Sequence, residues 1–305
     1  MNRDLLIRVV TALVLLPLVI WLIWLGGLWF ALLVGGAAAL CSLELNLLPF
    51  AATPPAPQPA EDLSREEGQK GRAAAGSDAR DGGLSGAAVV SIGAAFALPL
   101  LDAIEVPFLS FKLVLATVVV VAFADALFFE REIGRAPQRV SLAVLGAVYP
   151  GLLMSALIRI RQLPRHAEWW VILTLVVTWW NDTGGYFAGR AFGKHKLFER
   201  ISPKKTWEGA VGGLLLATVG ALLVKTLWIP ELPFYGAAII ALGASVVGPL
   251  GDLSESMLKR AFGVKDSGNL LPGHGGMLDR IDALMFNAPF VLLCARLLSF
   301  APVGH

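Results

Sequence analysis

Acidic side chains recur at helical spacing in the second half of this chain. Asp252 and Glu255 are three residues apart, as are Asp279 and Asp282, so each pair falls on one face of a helix. Asp182 follows Asn181 at the end of an apolar run. Carboxylates beside membrane-length apolar segments are costly to desolvate, which makes them functional candidates. Oxygen ligands of this kind suit Mg²⁺, which binds one or two carboxylates together with substrate phosphates. The competing reading is that these acids cap helices or pair with Arg280 and Lys259.

The basic residues point to anionic ligands. Arg190, Lys194, Lys196, Arg200, Lys204 and Lys205 form a dense cluster. The tendency of cytoplasmic loops to carry Lys and Arg explains their number. It does not explain the interleaved Gly193, Ser202, Pro203 and Thr206, which read as an ordered loop running into a helix capped by Thr206. Cations and free amides at a helix N-terminus favour phosphate. Pro272-Gly-His-Gly-Gly276 is a second glycine-rich loop, in which His274 reads as a base, a phosphate donor or a solvated residue. This second loop is neither a Walker loop nor a dinucleotide fingerprint. No Ser/His/Asp or HExxH pattern of a protease is evident.

These residues must be held by membrane helices. Of 305 residues, 56% are hydrophobic and 16% charged, with a mean hydropathy of +0.69. Soluble domains are about 45–50% apolar and about 25% charged. A soluble enzyme is excluded, and so is disorder of the whole chain. A net charge of +2 is too small for a nucleic-acid footprint, so no nucleic-acid partner is expected. Cys41 and Cys294 lie in apolar runs and read as small core residues.

The run from Val9 to Leu43 carries no charge and is divided by Gly26-Gly27, which predicts a helical hairpin over 1–51. Further apolar segments at 84–101, 111–129, 140–158, 169–192, 207–228, 234–251 and 281–300 bring the expectation to about nine transmembrane helices. The fold class is all-α and polytopic. Lys and Arg in the short loops favour N-in/C-out, against which Arg159, Arg161 and Arg165 vote. Residues 52–83 read as a flexible polar cytoplasmic insert, 84–138 as further spans, and 139–305 as the catalytic region. The Gly- and Ala-rich stretch 207–224 permits close helix contacts, inside one bundle or across a homodimer. Asp125, inside an apolar segment, reads as a local packing residue rather than a proton relay.

The motifs resemble one family closely. Ser256-Met-Leu-Lys-Arg260, Lys265-Asp266-Ser-Gly, Pro272-Gly-His-Gly-Gly276 and Asp279-Arg-Ile-Asp282 are similar to the signature of the phosphatidate cytidylyltransferases, or CDP-diacylglycerol synthases. Asn181-Asp182-Thr, Gly189-Arg190, Gly193-Lys-His-Lys196 and Ser202-Pro-Lys-Lys-Thr-Trp-Glu-Gly209 look like the same family. The resemblance is close over roughly 140–300; the 52–83 insert is a departure from it.

The resemblance implies a reaction in which CTP and phosphatidate give CDP-diacylglycerol and pyrophosphate. It also implies Mg²⁺, with room for a second metal ion, and a site at the cytoplasmic face of a bacterial inner membrane. On that basis Asp252, Asp279 and Asp282 are the first expected metal ligands, with Asp182 next. Lys205 and His274 join Asp252, Asp279 and Asp282 as expected catalytic residues, His274 and its glycines covering the pyrophosphate. Substrate contacts are expected from Asn181, Asp182, Thr183, Arg190, Lys194, Lys196, Ser202 and Lys204. In the second segment they are expected from Lys259, Arg260, Lys265, Asp266, Gly275, Gly276 and Arg280. A transporter is the alternative class, but its polar groups would gather at the midplane rather than at one face. A nucleotidyltransferase acting on another lipid phosphate is the nearer alternative.

Overall fold

The structure, a computed structural model, describes residues 3–51, 84–268, 270 and 275–299. The expected insert at 52–83 and the expected site residue His274 lie outside the described residues. Helices occupy each apolar segment picked out in the sequence. In chain order they are α1 (Arg3–Leu25), α2 (Gly27–Ala51), α3 (Gly86–Ala103), α4 (Phe108–Phe129), α5 (Ala136–Ala147), α6 (Leu153–Arg161) and α7 (Ala167–Phe192). A π-helical turn, Val148–Leu152, joins α5 to α6. A short hairpin, β1 (Lys196–Phe198) and β2 (Ser202–Thr206), precedes α8 (Trp207–Trp228), α9 (Phe234–Ala261) and α10 (Leu278–Ser299).

Among the described residues, seven helices are long and apolar enough to cross a bilayer, and Leu13–Leu25 is a shorter apolar helix. The chain is an all-α integral membrane protein. Helices suit this solvent because each satisfies its own backbone internally. Large apolar side chains such as Val120, Leu215 and Leu242 are exposed on the outer surface, as lipid contact requires. The interior core joins Phe30, Val34 and Leu45 of α2 to Ile160, Leu173, Ile240, Met285 and Val291. Cys41 and Cys294 are buried, free thiols.

Several charges that interrupt the apolar segments are partnered. Asp125 of α4 is buried and accepts from Arg139 Nε at 2.7 Å, while Arg139 Nη1 also reaches Glu130 at 3.1 Å. Arg159 pairs with Asp102. Arg161 donates to the carbonyls of Ile23 at 2.8 Å and Trp24 at 3.2 Å, satisfying acceptors left over at the end of α1. Two of the three arginines that disturb the charge rule are therefore used inside the protein.

Three details add to the sequence expectation. The ordered loop at 194–206 contains an antiparallel hairpin with Lys196 opposite Thr206 and Phe198 opposite Ser202. Its last residue, Thr206, does cap α8, its hydroxyl accepting the Gly209 amide at 3.1 Å. The region 252–280 is not loop throughout: α9 continues to Ala261, because Leu253, Glu255, Met257, Leu258, Lys259 and Arg260 are good helix formers once the apolar run has nucleated the helix. The glycines of α8 serve packing within this chain. A Cβ at Gly213 would lie 2.6 Å from Asn181 Oδ1, so α7 and α8 approach to a distance only glycine allows.

Candidate active site

Three elements converge on one acidic cluster. The first is the polar end of α9. Pro249 has no amide to donate within the helix, and its own carbonyl accepts Lys205 Nζ at 3.4 Å. Beyond it, Asp252, Glu255 and Lys259 follow at helical spacing on one face. The second element is the first two turns of α10, which carry Asp279 and Asp282. A Cβ at Gly251 would stand 2.5 Å from the Asp282 carbonyl oxygen, so the absence of a side chain there lets the two helices meet. The third is β2, which delivers Lys205.

Carboxylate oxygens of Asp252, Glu255 and Asp282 all lie within 4.8 Å of one another. Three acids this close repel unless cations neutralise them. Lys205 Nζ supplies one, 2.7 Å from Asp252 Oδ2. Lys259 Nζ, itself buried, lies 2.7 Å from Glu255 Oε2 and also pairs with Asp279. Ser256 Oγ donates to Asp252 Oδ1 at 3.3 Å. Among the described residues, the buried Glu255 Oε1 has no hydrogen-bond partner. Asp182 of α7 lies within electrostatic range of Asp252 and Lys205.

Asp279 has a different setting from the other acids. Its Oδ2 accepts the amides of Ser267 at 3.0 Å and Gly276 at 3.2 Å, and the Ser267 hydroxyl at 3.0 Å. With Lys259 on the other oxygen, it ties the α9–α10 connection to α9.

The hairpin is fixed at its base by Glu208 in the first turn of α8. The Glu208 carboxylate accepts the Lys194 amide at 3.1 Å and lies 2.6 Å from His195 Nδ1. Lys196 Nζ donates to the Pro203 carbonyl at 2.6 Å, bracing the hairpin rather than extending from it.

The remaining candidates sit outside this centre. Lys194, Lys204, Lys265 and Asp266 are exposed, and Ser202 opens β2. Arg190 donates to the Tyr186 hydroxyl at 3.0 Å, and Arg260 to the Val264 carbonyl at 2.9 Å. Thr183 donates back to the Trp179 carbonyl at 2.7 Å. Asn181 is buried against α8 with its Oδ1 unpartnered among the described residues. Arg280 is exposed in the first turn of α10. Gly275 has φ +82°, and Gly276 uses its amide on Asp279.

Two residues at the centre escaped the sequence reading as ligands or anchors. Glu255 was noted only for sharing a face with Asp252, although that spacing was the signal. Glu44 of α2 is the other; its signal in the sequence is a single carboxylate at the end of a charge-free apolar run.

Such a cluster is of a kind that could hold a divalent cation against phosphate oxygens, with Lys205 and Lys259 beside it for the remaining charge. The comparisons with known proteins bear on which phosphates. A model described as the cytidylyltransferase family matches residues 78–298. The phosphatidate cytidylyltransferase of Bacillus subtilis (strain 168) is 43% identical over 162 residues, covering 53% of this chain and 60% of that protein. That of Brucella suis biovar 1 is 48% identical over 123 residues, 40% of this chain and 45% of the relative. That of Haemophilus influenzae is 44% identical over 131 residues, 42% and 46% of the two. The chain thus spans about half the length of the curated relatives it matches.

Proposed function

We propose that this chain, which belongs to the cytidylyltransferase family, transfers the cytidylyl group of CTP to phosphatidate, giving CDP-diacylglycerol and pyrophosphate for phospholipid synthesis. One observation carries the reading. The triad of Asp252, Glu255 and Asp282, with Lys205 against it, lies inside the family-matched stretch and at the polar ends of membrane helices. The relatives matching that stretch are phosphatidate cytidylyltransferases.

An oxygen of the lipid phosphate attacks the α-phosphorus of CTP, and the bond to the β-phosphate oxygen breaks. Pyrophosphate leaves with that electron pair. No protein nucleophile is required, so the protein contributes positioning and charge neutralisation. Lys205, with Arg190 and Lys204 nearby in sequence, holds phosphate oxygens. Asn181 and Thr183 contact the nucleotide. His274 and the glycines after it cover the leaving pyrophosphate.

The residues fit a divalent cation. Three carboxylates are within reach of one another, and the buried Glu255 Oε1 lacks a protein partner among the described residues. Asp252, Glu255 and Asp282 would hold Mg²⁺, with Asp182 at the edge. When bound, the ion neutralises phosphate charge that lysines alone leave uncompensated.

The wider setting belongs to the same proposal. About nine helices cross a bacterial inner membrane, with the N-terminus and the site at the cytoplasmic face. Soluble CTP and bilayer phosphatidate then meet at one surface. A homodimer is compatible with this arrangement and is not required by it.

The test is pyrophosphate release by purified protein in detergent micelles with CTP, phosphatidate and Mg²⁺, each omitted in turn. Release that needs all three supports the reading. Release with another lipid phosphate only, or none from folded protein, overturns it.

A further inference from the structure

We infer that Glu44 is a positioning residue of the active site, acting as a helix cap supplied to α10 by α2; the catalytic part of this inference rests on the function proposed above. Glu44 is 1% exposed, in a helix whose preceding turns carry no charge. A buried carboxylate is tolerated only when hydrogen bonds replace its hydration. Here three donors do so. Glu44 Oε1 accepts the Met277 amide at 2.8 Å, and Oε2 accepts the Leu278 amide at 2.8 Å and the Ser267 hydroxyl at 2.9 Å. Leu278 opens α10 and Met277 immediately precedes it. The amides at a helix start have no partner within the helix, and a negative charge there is favoured by the helix dipole.

The connection is moulded to this carboxylate from both sides. A Cβ at Gly268 would lie 2.9 Å from Glu44 Oε1, and one at Gly276 would lie 2.7 Å from Oε2. At Gly276 the Ser267 hydroxyl stands closer still to that position, so serine and carboxylate together leave no room for a side chain there. Ser267 passes the constraint onward. Its hydroxyl lies 2.9 Å from Glu44 and 3.0 Å from Asp279, and its single proton serves one acid at a time. Asp279 then holds Lys259, and Lys259 holds Glu255 of the metal-binding triad. Glu44 thereby fixes where α10 begins, and hence where Asp282, in its second turn, stands against Asp252 and Glu255.

The experiment uses the full chain in detergent. Amide hydrogen exchange is followed at Met277 and Leu278, and the Mg²⁺ dependence of pyrophosphate release is measured alongside thermal stability. Glu44→Gln is expected to speed exchange at both amides roughly tenfold, because hydrogen bonds to a charged acceptor are lost. The Mg²⁺ concentration for half-maximal activity is expected to rise about 10–100-fold, as when a residue supporting metal ligands is changed. Leu45→Ala, a cavity in the same helix, is expected to lower the melting temperature and move neither readout. Should Glu44→Gln not fold, Glu44→Asp, which keeps the charge but shortens its reach to the Met277 and Leu278 amides, takes its place, with both readouts expected to move in the same direction. Unchanged exchange and Mg²⁺ dependence in the folded variant overturn the inference, as does an equal shift in Leu45→Ala. If wild-type protein is inactive with CTP and phosphatidate, the function reading fails while the exchange comparison still decides the role of Glu44.

Discussion

Lys205 and Asp252 meet at 2.7 Å, joining the hairpin before α8 to the polar end of α9. Lys205 also touches the Pro249 carbonyl at 3.4 Å, so it meets α9 through side chain and backbone alike. A lysine held by one carboxylate of an acidic triad is placed to exchange that partner for a phosphate when an anionic substrate arrives. Lys205→Met is therefore expected to lower kcat by about 10²–10³-fold, the usual cost of losing one preorganised charge at a reacting phosphate or oxyanion. Pyrophosphate release by folded variant measures it, and turnover within a few-fold of wild type would remove Lys205 from the chemistry.

Asp252→Asn and Asp279→Asn should separate two kinds of acid. Asp252 is partly exposed and contributes to the triad, so its loss is expected to abolish Mg²⁺-dependent turnover with little change in melting temperature. Asp279 is bound by Lys259 and two amides. Its loss leaves a buried lysine with Glu255 as its remaining carboxylate and weakens the bonds to two amides, for which about 1–3 kcal/mol is expected. Thermal unfolding of both variants, beside activity, tests the distinction; equal stabilities would contradict it.

Asp125 gives the sharpest contrast between an enzyme and a proton-coupled transporter. Its carboxylate is buried against Arg139. Asp125→Asn is expected to destabilise the protein, by up to about 3–5 kcal/mol where a buried pair is broken. Turnover per folded molecule should be preserved. A folded variant that retains structure and loses all activity would point to a role beyond packing.

Gly251→Ala tests the close contact between α9 and α10. The new methyl carbon would start 2.5 Å from the Asp282 carbonyl, so the helices must part. Overpacking of this kind costs about 1–3 kcal/mol. Separation of the helices also moves Asp282 from Asp252 and Glu255, so a higher Mg²⁺ requirement is expected. Metal titration of activity, with stability measured in parallel, distinguishes this from simple destabilisation.

The sequence alone determined the fold class, because uncharged runs of membrane length have few other solutions and helices are the element that satisfies a backbone in lipid. It also picked out most of the acids that the structure gathers in the candidate cluster, since Asp252, Glu255, Asp279 and Asp282 carry helical spacing on their face. Thr206 was legible as a cap from local chemistry. What the tertiary structure decided were the partners. Nothing local distinguishes Asp279, bound to Lys259 and to amides, from Asp282, which joins the triad. The same holds for Lys196, spent within the hairpin, and Lys205, turned to Asp252. Glu44 was the least legible, because its meaning depends on α2 meeting the start of α10 across most of the chain. Spacing reports which residues share a face, whereas charge pairing and burial depend on which faces meet.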